Sequence, residues 1–175
     1  RSLGTVNVAA IEEYKEVSER YEFMKSQVND VETSRMELSK LIGELTQQMK
    51  ELFLARFQQI NQNFHETFRE LFGGGSCDLS LSNPDDILNS GIDISVQPPG
   101  KIVSHLELLS GGEKALVAIA LYFSIMKVNP APFCVLDEIE AALDDVNVGR
   151  FAAYLRRMNE RTQFIVITHR RGTMV

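Results

Sequence analysis

The sequence predicts an α/β fold in which a long coiled-coil helix precedes a layer of parallel strands. Residues 11–72 contain no proline and one glycine, and their apolar residues recur in heptads, which is typical of a coiled coil. Beyond residue 73 the pattern changes to helix, strand, helix, strand, an order that favours a parallel sheet. We therefore expect a coiled-coil helix over residues 1–52 and a globular lobe over residues 53–175.

The composition excludes several classes of protein. The 175 residues are 44% hydrophobic and 24% charged, so a wholly disordered chain is excluded. No uncharged apolar run is long enough to span a membrane, and no secretory signal is evident. We expect a cytoplasmic protein with two reduced thiols, Cys77 and Cys134. The net charge of −6 does not point to nucleic acid, although six arginines in residues 146–175 leave a basic face open.

The long helix has a narrow apolar seam that only Arg35 interrupts. Such a stripe requires a partner helix for its burial. After Leu52 the register slips by one residue and becomes aromatic, which indicates packing on a globular body. Gly73-Gly74-Gly75 is expected to end the helix, because glycine readily adopts the left-handed conformation. The seam comprises Tyr14, Val17, Tyr21, Met24, Val28, Val31, Leu38, Ile42, Leu45, Met49 and Leu52.

The globular lobe is expected to contain four strands and two helices. Strands are predicted from period-2 alternation or short apolar runs, and helices from apolar residues on one face. Ligands of parallel sheets bind at the carboxyl ends of the strands, where Asp137, Glu138 and His169 are expected to lie. The predicted strands are 77–82, 92–97, 133–136 and 164–167, and the predicted helices are 112–128 and 146–160.

Two segments carry residues suited to nucleotide chemistry. Ser110-Gly111-Gly112-Glu113 places an N-cap serine and two glycines before a helix, where backbone N–H groups can bind an anion such as phosphate. Asp137 could hold Mg²⁺, the neighbouring Glu138 could deprotonate a water, and His169 could donate to a phosphate oxygen. Taken singly, a plain capped helix start, an acid pair that caps a helix and a structural histidine remain open.

The order of these motifs resembles the core of ABC-type ATPases. Ser110-Gly111-Gly112-Glu113 is similar to the signature motif, and Asp137 to the Walker B aspartate. Glu138 resembles the catalytic carboxylate that follows it. Ala141-Ala142-Leu143-Asp144 resembles the D-loop, and His169 the switch histidine.

Further segments resemble one branch of this superfamily more closely. The similarity covers nearly the whole chain and is to the C-terminal head segment, with its neck coiled-coil helix, of bacterial SMC (structural maintenance of chromosomes) proteins. Glu140 stands where that family more often has Asp, and Val117 where Thr is common. The matching segments are Val6–Tyr14, Leu71–Gly75, Gly91–Ile94, Pro98–Lys101 and Phe164–Arg170.

The resemblance implies an ATP-binding and ATP-hydrolysing head that uses Mg²⁺. Asp137 is the implied metal ligand, Glu138 and His169 the implied catalytic residues, and the signature-like residues with Asp144 the implied nucleotide contacts. The sequence holds no G-x-x-x-x-G-K-S/T loop, which in this family lies in the N-terminal segment, so the chain alone is expected to be inactive. The implied partners are that segment, a second head as homodimer, a kleisin subunit and DNA, in a cytoplasmic, nucleoid-associated protein.

Three alternatives remain at this point. Another coiled-coil ABC-type ATPase of DNA repair would share the signature and Walker B patterns, but the additional matches favour SMC. A transporter nucleotide-binding subunit would not carry so long a heptad helix before the signature. A non-enzymatic coiled-coil adaptor would use the same acids and glycines only structurally.

Overall fold

The computed structural model describes residues 8–101, 106–159 and 162–174. The chain divides into two compact units, Arg1–Met49 and Lys50–Val175. Helix α1 (Val8–Phe72) supplies residues to both units. The start of the family-like segment at Val6 and the predicted helix end at Glu160 lie outside the described residues. The functional division after residue 52 stays a prediction.

The seam of α1 is open to solvent along its length. Its side chains range from 49% exposed at Leu45 to 75% exposed at Tyr14. A continuous apolar stripe in this state is consistent with the prediction that it requires a second helix. Among the described residues, no helix is both long enough and apolar enough to cross a membrane.

The aromatic end of α1 is buried, as predicted. Phe64, Phe68 and Leu71 are fully buried, and the rings of Phe68 and Phe72 stack with their centroids 4.2 Å apart. The helix ends at Phe72, whose carbonyl accepts a 2.6 Å hydrogen bond from Arg150 Nη1.

Glycine is favoured directly after this helix end. Gly73 has a φ of +72°, and a β-carbon there would come within 2.8 Å of the Arg150 guanidinium. The left-handed backbone favours glycine, and a larger side chain would have to displace the end of the Arg150 side chain. The predicted C-terminal signal is therefore confirmed.

A hairpin follows the glycines. Strands β1 (Ser76–Leu81) and β2 (Ile92–Gln97) pair antiparallel, with Cys77 opposite Val96 and Leu79 opposite Ile94. Cys77, Leu79 and Val96 are buried, and burial raises the pKa of the Cys77 thiol to about 12. The predicted strand 77–82 is displaced by one residue.

A helix–strand–helix–strand unit completes the lobe. It contains α2 (Gly111–Val128), β3 (Phe133–Asp137), α3 (Asp145–Met158) and β4 (Gln163–Ile167), after a short 3-10 helix at Leu106–Leu108. The two strands pair in parallel, with Asp137 opposite Ile167, so the predicted parallel layer is confirmed. Their carboxyl ends therefore meet at one edge of the sheet.

Only one face of the β3–β4 sheet is covered by the described residues. Cys134 and Leu136 point into the core and are buried. On the opposite face the apolar side chains are 47–59% exposed, although parallel sheets are normally covered on both faces. These exposed side chains are Phe133, Val135, Ile165 and Ile167.

Phe123 is the central aromatic residue of this core. It is fully buried, and its ring centroid lies 5.2 Å from that of Tyr154 and 6.1 Å from that of Phe164. We expect Phe123→Ala to lower the free energy of unfolding by about 3–5 kcal/mol, because the loss leaves a cavity.

Ile125 provides the matched control, since it lies on the same helix and is 49% exposed. Ile125→Ala should cost less than about 1 kcal/mol. Urea denaturation of the two variants measures both values, and equal losses would contradict the assignment of Phe123 to the core.

Candidate functional site

The site forms where β3 and β4 end beside each other. Asp137 is the last residue of β3, and the Glu138 N–H donates a 2.9 Å hydrogen bond to the Ile167 carbonyl of β4. This bond extends the parallel pairing by one residue. The Glu138 and His169 side chains then meet, with Oε1 and Nε2 2.8 Å apart. The predicted juxtaposition of the two residues is confirmed as geometry.

Glu138 has an unusual backbone conformation. Its φ of +47° lies in the left-handed region, and it is the one non-glycine residue with positive φ in the described parts of the chain. Such a conformation costs about 1–3 kcal/mol and is frequent at functional sites. The Glu138 carboxyl is 47% exposed and the His169 imidazole 90% exposed, so water and ligands can reach both.

The residues present fit part of a magnesium site. Asp137 is exposed at the strand end, so its carboxylate is free to bind a cation. No cluster of three or more His, Cys, Asp or Glu side chains suited to a metal occurs among the described residues. Magnesium commonly keeps several waters and takes one or two carboxylates together with substrate phosphates, so a single aspartate is a compatible ligand set.

The signature-like segment starts helix α2 with a complete capping box. Ser110 Oγ accepts a hydrogen bond from the Glu113 N–H at 3.3 Å, and the Ser110 N–H donates to Glu113 Oε2 at 2.9 Å. The Ser110 hydroxyl also donates to this carboxylate. The Lys101 ammonium lies 2.7 Å from Glu113 Oε1. This Lys101 contact, followed by the hydrogen bond from the Ser110 backbone, lowers the pKa of Glu113.

The two glycines of this segment have different surroundings. A β-carbon on Gly111 would meet nothing within 4 Å, so its backbone is open to a ligand. A β-carbon on Gly112 would lie 2.8 Å from the Ala142 carbonyl oxygen. Gly112 therefore allows the start of α2 to approach the D-loop-like segment, residues 141–144. Among the described residues, no hydrogen bond joins residues 110–113 directly to Glu138 or His169.

Asp144 has a local structural role. It is the N-cap of α3, where Oδ1 accepts from the Asn147 N–H at 2.8 Å and Oδ2 accepts from Asn147 Nδ2 at 3.1 Å. Both carboxylate oxygens are thus occupied within the chain. Its predicted contact with nucleotide stays a prediction.

Sequence reasoning assigned no role to two residues beside the Glu138–His169 pair. Arg170 donates to the carbonyls of Ala141 and Leu143 in the D-loop-like segment. Glu140 is fully buried, and neither of its carboxylate oxygens has a hydrogen-bond partner among the described residues. With Thr168 and the pair itself, these residues line a cavity of about 90 Å³. The only sequence signals were the place of Arg170 at the end of the Phe164–Arg170 match and the departure of Glu140 from the family pattern.

A family model described as the RecF/RecN/SMC N terminal domain matches residues 5–175. This description goes against the C-terminal placement that the sequence resemblance implied. The chromosome partition protein Smc of Bacillus subtilis (strain 168) is 54% identical over 172 residues, which are 98% of this chain and 14% of the relative. The chain therefore spans a small part of the curated relatives it matches.

Solved SMC structures match as well. The Pyrococcus furiosus Smc head domain with an extended coiled coil, bound to the C-terminal domain of ScpA, is 40% identical with a TM-score of 0.78 over 95% of this chain and 42% of that chain. A structure described as concerning ATP-driven dimerization and DNA stimulated activation of SMC ATPases is 46% identical, with a TM-score of 0.67 over 71% and 76% of the two chains. The predicted fold class, an α/β head lobe preceded by a coiled-coil helix, is confirmed.

The capping box generates a pH-dependent prediction. Because the pKa of Glu113 is lowered from its ordinary 4.5, its contribution to stability is complete above that value and is lost as the pH falls through the lowered pKa. We expect Glu113→Gln to reduce the free energy of unfolding by about 1 kcal/mol at neutral pH. The difference from the wild type should shrink below about pH 4.

Urea titrations across this pH range measure the difference. Glu107→Gln, which alters an exposed acid in the neighbouring 3-10 helix, is the control and should change little at any pH. If the difference in the free energy of unfolding between the wild type and Glu113→Gln stays constant down to about pH 3, the Glu113 charge does not stabilise the fold.

Proposed function

The chain belongs to the RecF/RecN/SMC family, and we propose that it supplies part of an ATP-hydrolysing SMC head. One observation carries the proposal: the parallel pairing of β3 and β4 places Asp137, Glu138 and His169 at one sheet edge, with the Glu138 and His169 side chains 2.8 Å apart. Carboxylates and an imidazole at this edge are suited to phosphoryl chemistry.

Glu138 is the proposed general base. Its carboxylate is half exposed, so an attacking water can approach it and transfer a proton to it. His169 Nε2 orients this carboxylate in the absence of ligand and is exposed enough to turn towards a phosphate oxygen. Asp137 would hold Mg²⁺, which with ATP bound would offset charge on the phosphate oxygens.

Ser110 to Glu113 are proposed to act on the nucleotide of a second head. The start of α2 presents unpaired N–H groups and the positive end of the helix dipole, which attract a phosphate. The Ser110 hydroxyl is bonded to Glu113 in the chain as it stands, so a γ-phosphate would have to replace that bond. The ATP-driven dimerization named for a similar structure supports a second head as partner.

A segment that carries the missing phosphate loop is the proposed first partner. The sequence contains no G-x-x-x-x-G-K-S/T motif, so this chain cannot cradle the β- and γ-phosphates with a Walker A lysine. The exposed apolar face of the β3–β4 sheet supports the same conclusion, because such a face requires cover. The roles of the motifs do not depend on which end of the polypeptide carries them.

The remaining partners follow from the relatives. The P. furiosus head is bound to a domain of ScpA, which supports a ScpA-like kleisin partner here. The open seam of α1 supports a coiled coil with a second helix. DNA binding and a nucleoid location are proposed from the similarity to chromosome partition proteins. The proposal for the function of the whole protein rests on the same similarity.

The chain by itself should bind ATP weakly and should not turn it over. Two groups that hydrolysis requires, the phosphate-binding loop and the opposing head, are not supplied by this sequence. Phosphate release by the purified chain measures this. Turnover that is proportional to the concentration of the chain and abolished by Glu138→Gln would contradict the proposal that other segments must complete the site.

Ser110 and Glu138 should give opposite phenotypes in the intact protein. Ser110→Arg should bind ATP but fail to dimerise and to hydrolyse it, because the bulky side chain blocks the approach of another head. Glu138→Gln should bind ATP, dimerise more stably than the wild type and hydrolyse it about 10²–10⁴-fold more slowly, because the amide cannot accept the proton.

Sizing chromatography with ATP, run beside phosphate release, measures both properties. Equal dimerisation of the two variants, or wild-type hydrolysis by Glu138→Gln, would show that the assigned roles are wrong. An adaptor without enzymatic activity would show no turnover in the wild type either.

A further inference from the structure

We propose that Arg170 is a positioning residue that couples the two nucleotide half-sites through the D-loop-like segment, residues 141–144. The inference rests on the proposed function, since it assigns Glu138 and His169 to one site and the Ser110–Glu113 segment to another. Arg170 directly follows His169. Its side chain binds backbone carbonyls of residues 141–144, which lie between these two sites, and we call this set of hydrogen bonds the grip.

The grip consists chiefly of two hydrogen bonds to backbone carbonyls. Arg170 Nη2 donates to the Leu143 oxygen at 2.8 Å and to the Ala141 oxygen at 3.1 Å. Nη1 also lies 3.2 Å from Asp145 Oδ1, but Asp145 is 97% exposed, and such surface ion pairs contribute little. A guanidinium can hold carbonyls and a carboxylate at once because its N–H groups are arranged in a rigid fork.

The carbonyl between these two has a different neighbour. The Ala142 oxygen faces Gly112, where a β-carbon would come within 2.8 Å. Successive carbonyls of this segment are therefore directed alternately to Arg170 and to the start of α2. The two backbones therefore lie close together at this point, with no side chain of residue 112 between them.

Two further hydrogen bonds connect residues 141–144 and Arg170 to the Glu138–His169 pair. The Ala141 N–H donates to the Glu138 carbonyl at 3.0 Å. The Arg170 N–H donates to Thr168 Oγ1 at 2.9 Å, which fixes the turn that carries His169. Arg170 thus ties the histidine turn to residues 141–143, which in turn abut the signature-like segment.

The test uses Arg170→Ala and Arg170→Lys in the intact protein. Hydrogen–deuterium exchange without nucleotide reports the grip itself, and we expect amides of residues 141–144 to exchange about tenfold faster in Arg170→Ala. Arg170→Lys should not restore protection, because the lysine side chain is shorter and its ammonium does not reach the Nη2 position from which both carbonyls are bound. Both variants should bind ATP as the wild type does, whereas ATP-dependent dimerisation falls and kcat falls about 10- to 100-fold.

Two control variants isolate the contact. Arg171→Ala removes the adjacent exposed arginine, and Asp145→Asn removes only the ion pair. Both should keep wild-type exchange, dimerisation and turnover.

Each outcome decides a different claim. Unchanged exchange in Arg170→Ala overturns the grip, whatever the turnover. Faster exchange with wild-type dimerisation and kcat overturns the coupling role, and so does full rescue by Arg170→Lys. Loss of ATP binding or of the fold in Arg170→Ala also overturns it, because the residue is then merely structural. An absence of turnover in the wild-type protein would instead refute the proposed function. The exchange measurement would still test whether Arg170 holds residues 141–144.

Discussion

The parallel pairing of β3 with β4 determines where every group of the site lies. With Asp137 opposite Ile167, both strands end at the same level, and one further backbone bond fixes Glu138 beside the end of β4. The positive φ of Glu138 turns the chain away at this point. A register shift of one residue would reverse the faces of the strand, bury the exposed residues and separate Glu138 from His169.

The aromatic end of α1 and Phe123 belong to one hydrophobic core that includes Cys134 and Leu136 of β3, and this core supports the pairing. Arg150 of α3 binds the last carbonyl of α1, so the helix end is anchored to the lobe by a charged hydrogen bond. Just after the carboxyl end of β3, the backbone of residues 141–143 lies between Arg170 and Gly112. Elements that are distant in sequence thus converge on one short segment, and a change at one half-site has a physical route to the other.

Much of the architecture could be predicted because local patterns determine it. Period-2 alternation, apolar runs and the glycine run placed the strands, the two shorter helices and the end of α1 within one or two residues, and the strand order gave the parallel sheet. The location of Glu138 and His169 at the same sheet edge followed from the rule that ligand-binding groups gather at strand ends, whereas their direct contact was not predicted. The motifs also identified Ser110, although the bond from its hydroxyl to Glu113 was not foreseen.

The missed features depend on side-chain conformation and on contacts between distant segments. Nothing local shows that Arg170 turns back to residues 141 and 143, or that Glu140 is buried without a partner. Asp144 illustrates the converse, since the same aspartate matches a motif and also caps α3. The match to the motif does not reveal whether the Asp144 carboxylate contacts nucleotide or only caps α3.

The claim that one head completes the site of another is tested most directly by mixing two inactive variants. Ser110→Arg and Glu138→Gln of the intact protein would be combined at equal concentrations before ATP is added. In a mixed dimer, one site receives an unaltered Glu138 from one copy and an unaltered Ser110 from the other. The account predicts phosphate release well above the sum of the two separate rates. A mixture that forms mixed dimers on sizing chromatography but releases phosphate no faster than this sum would contradict it.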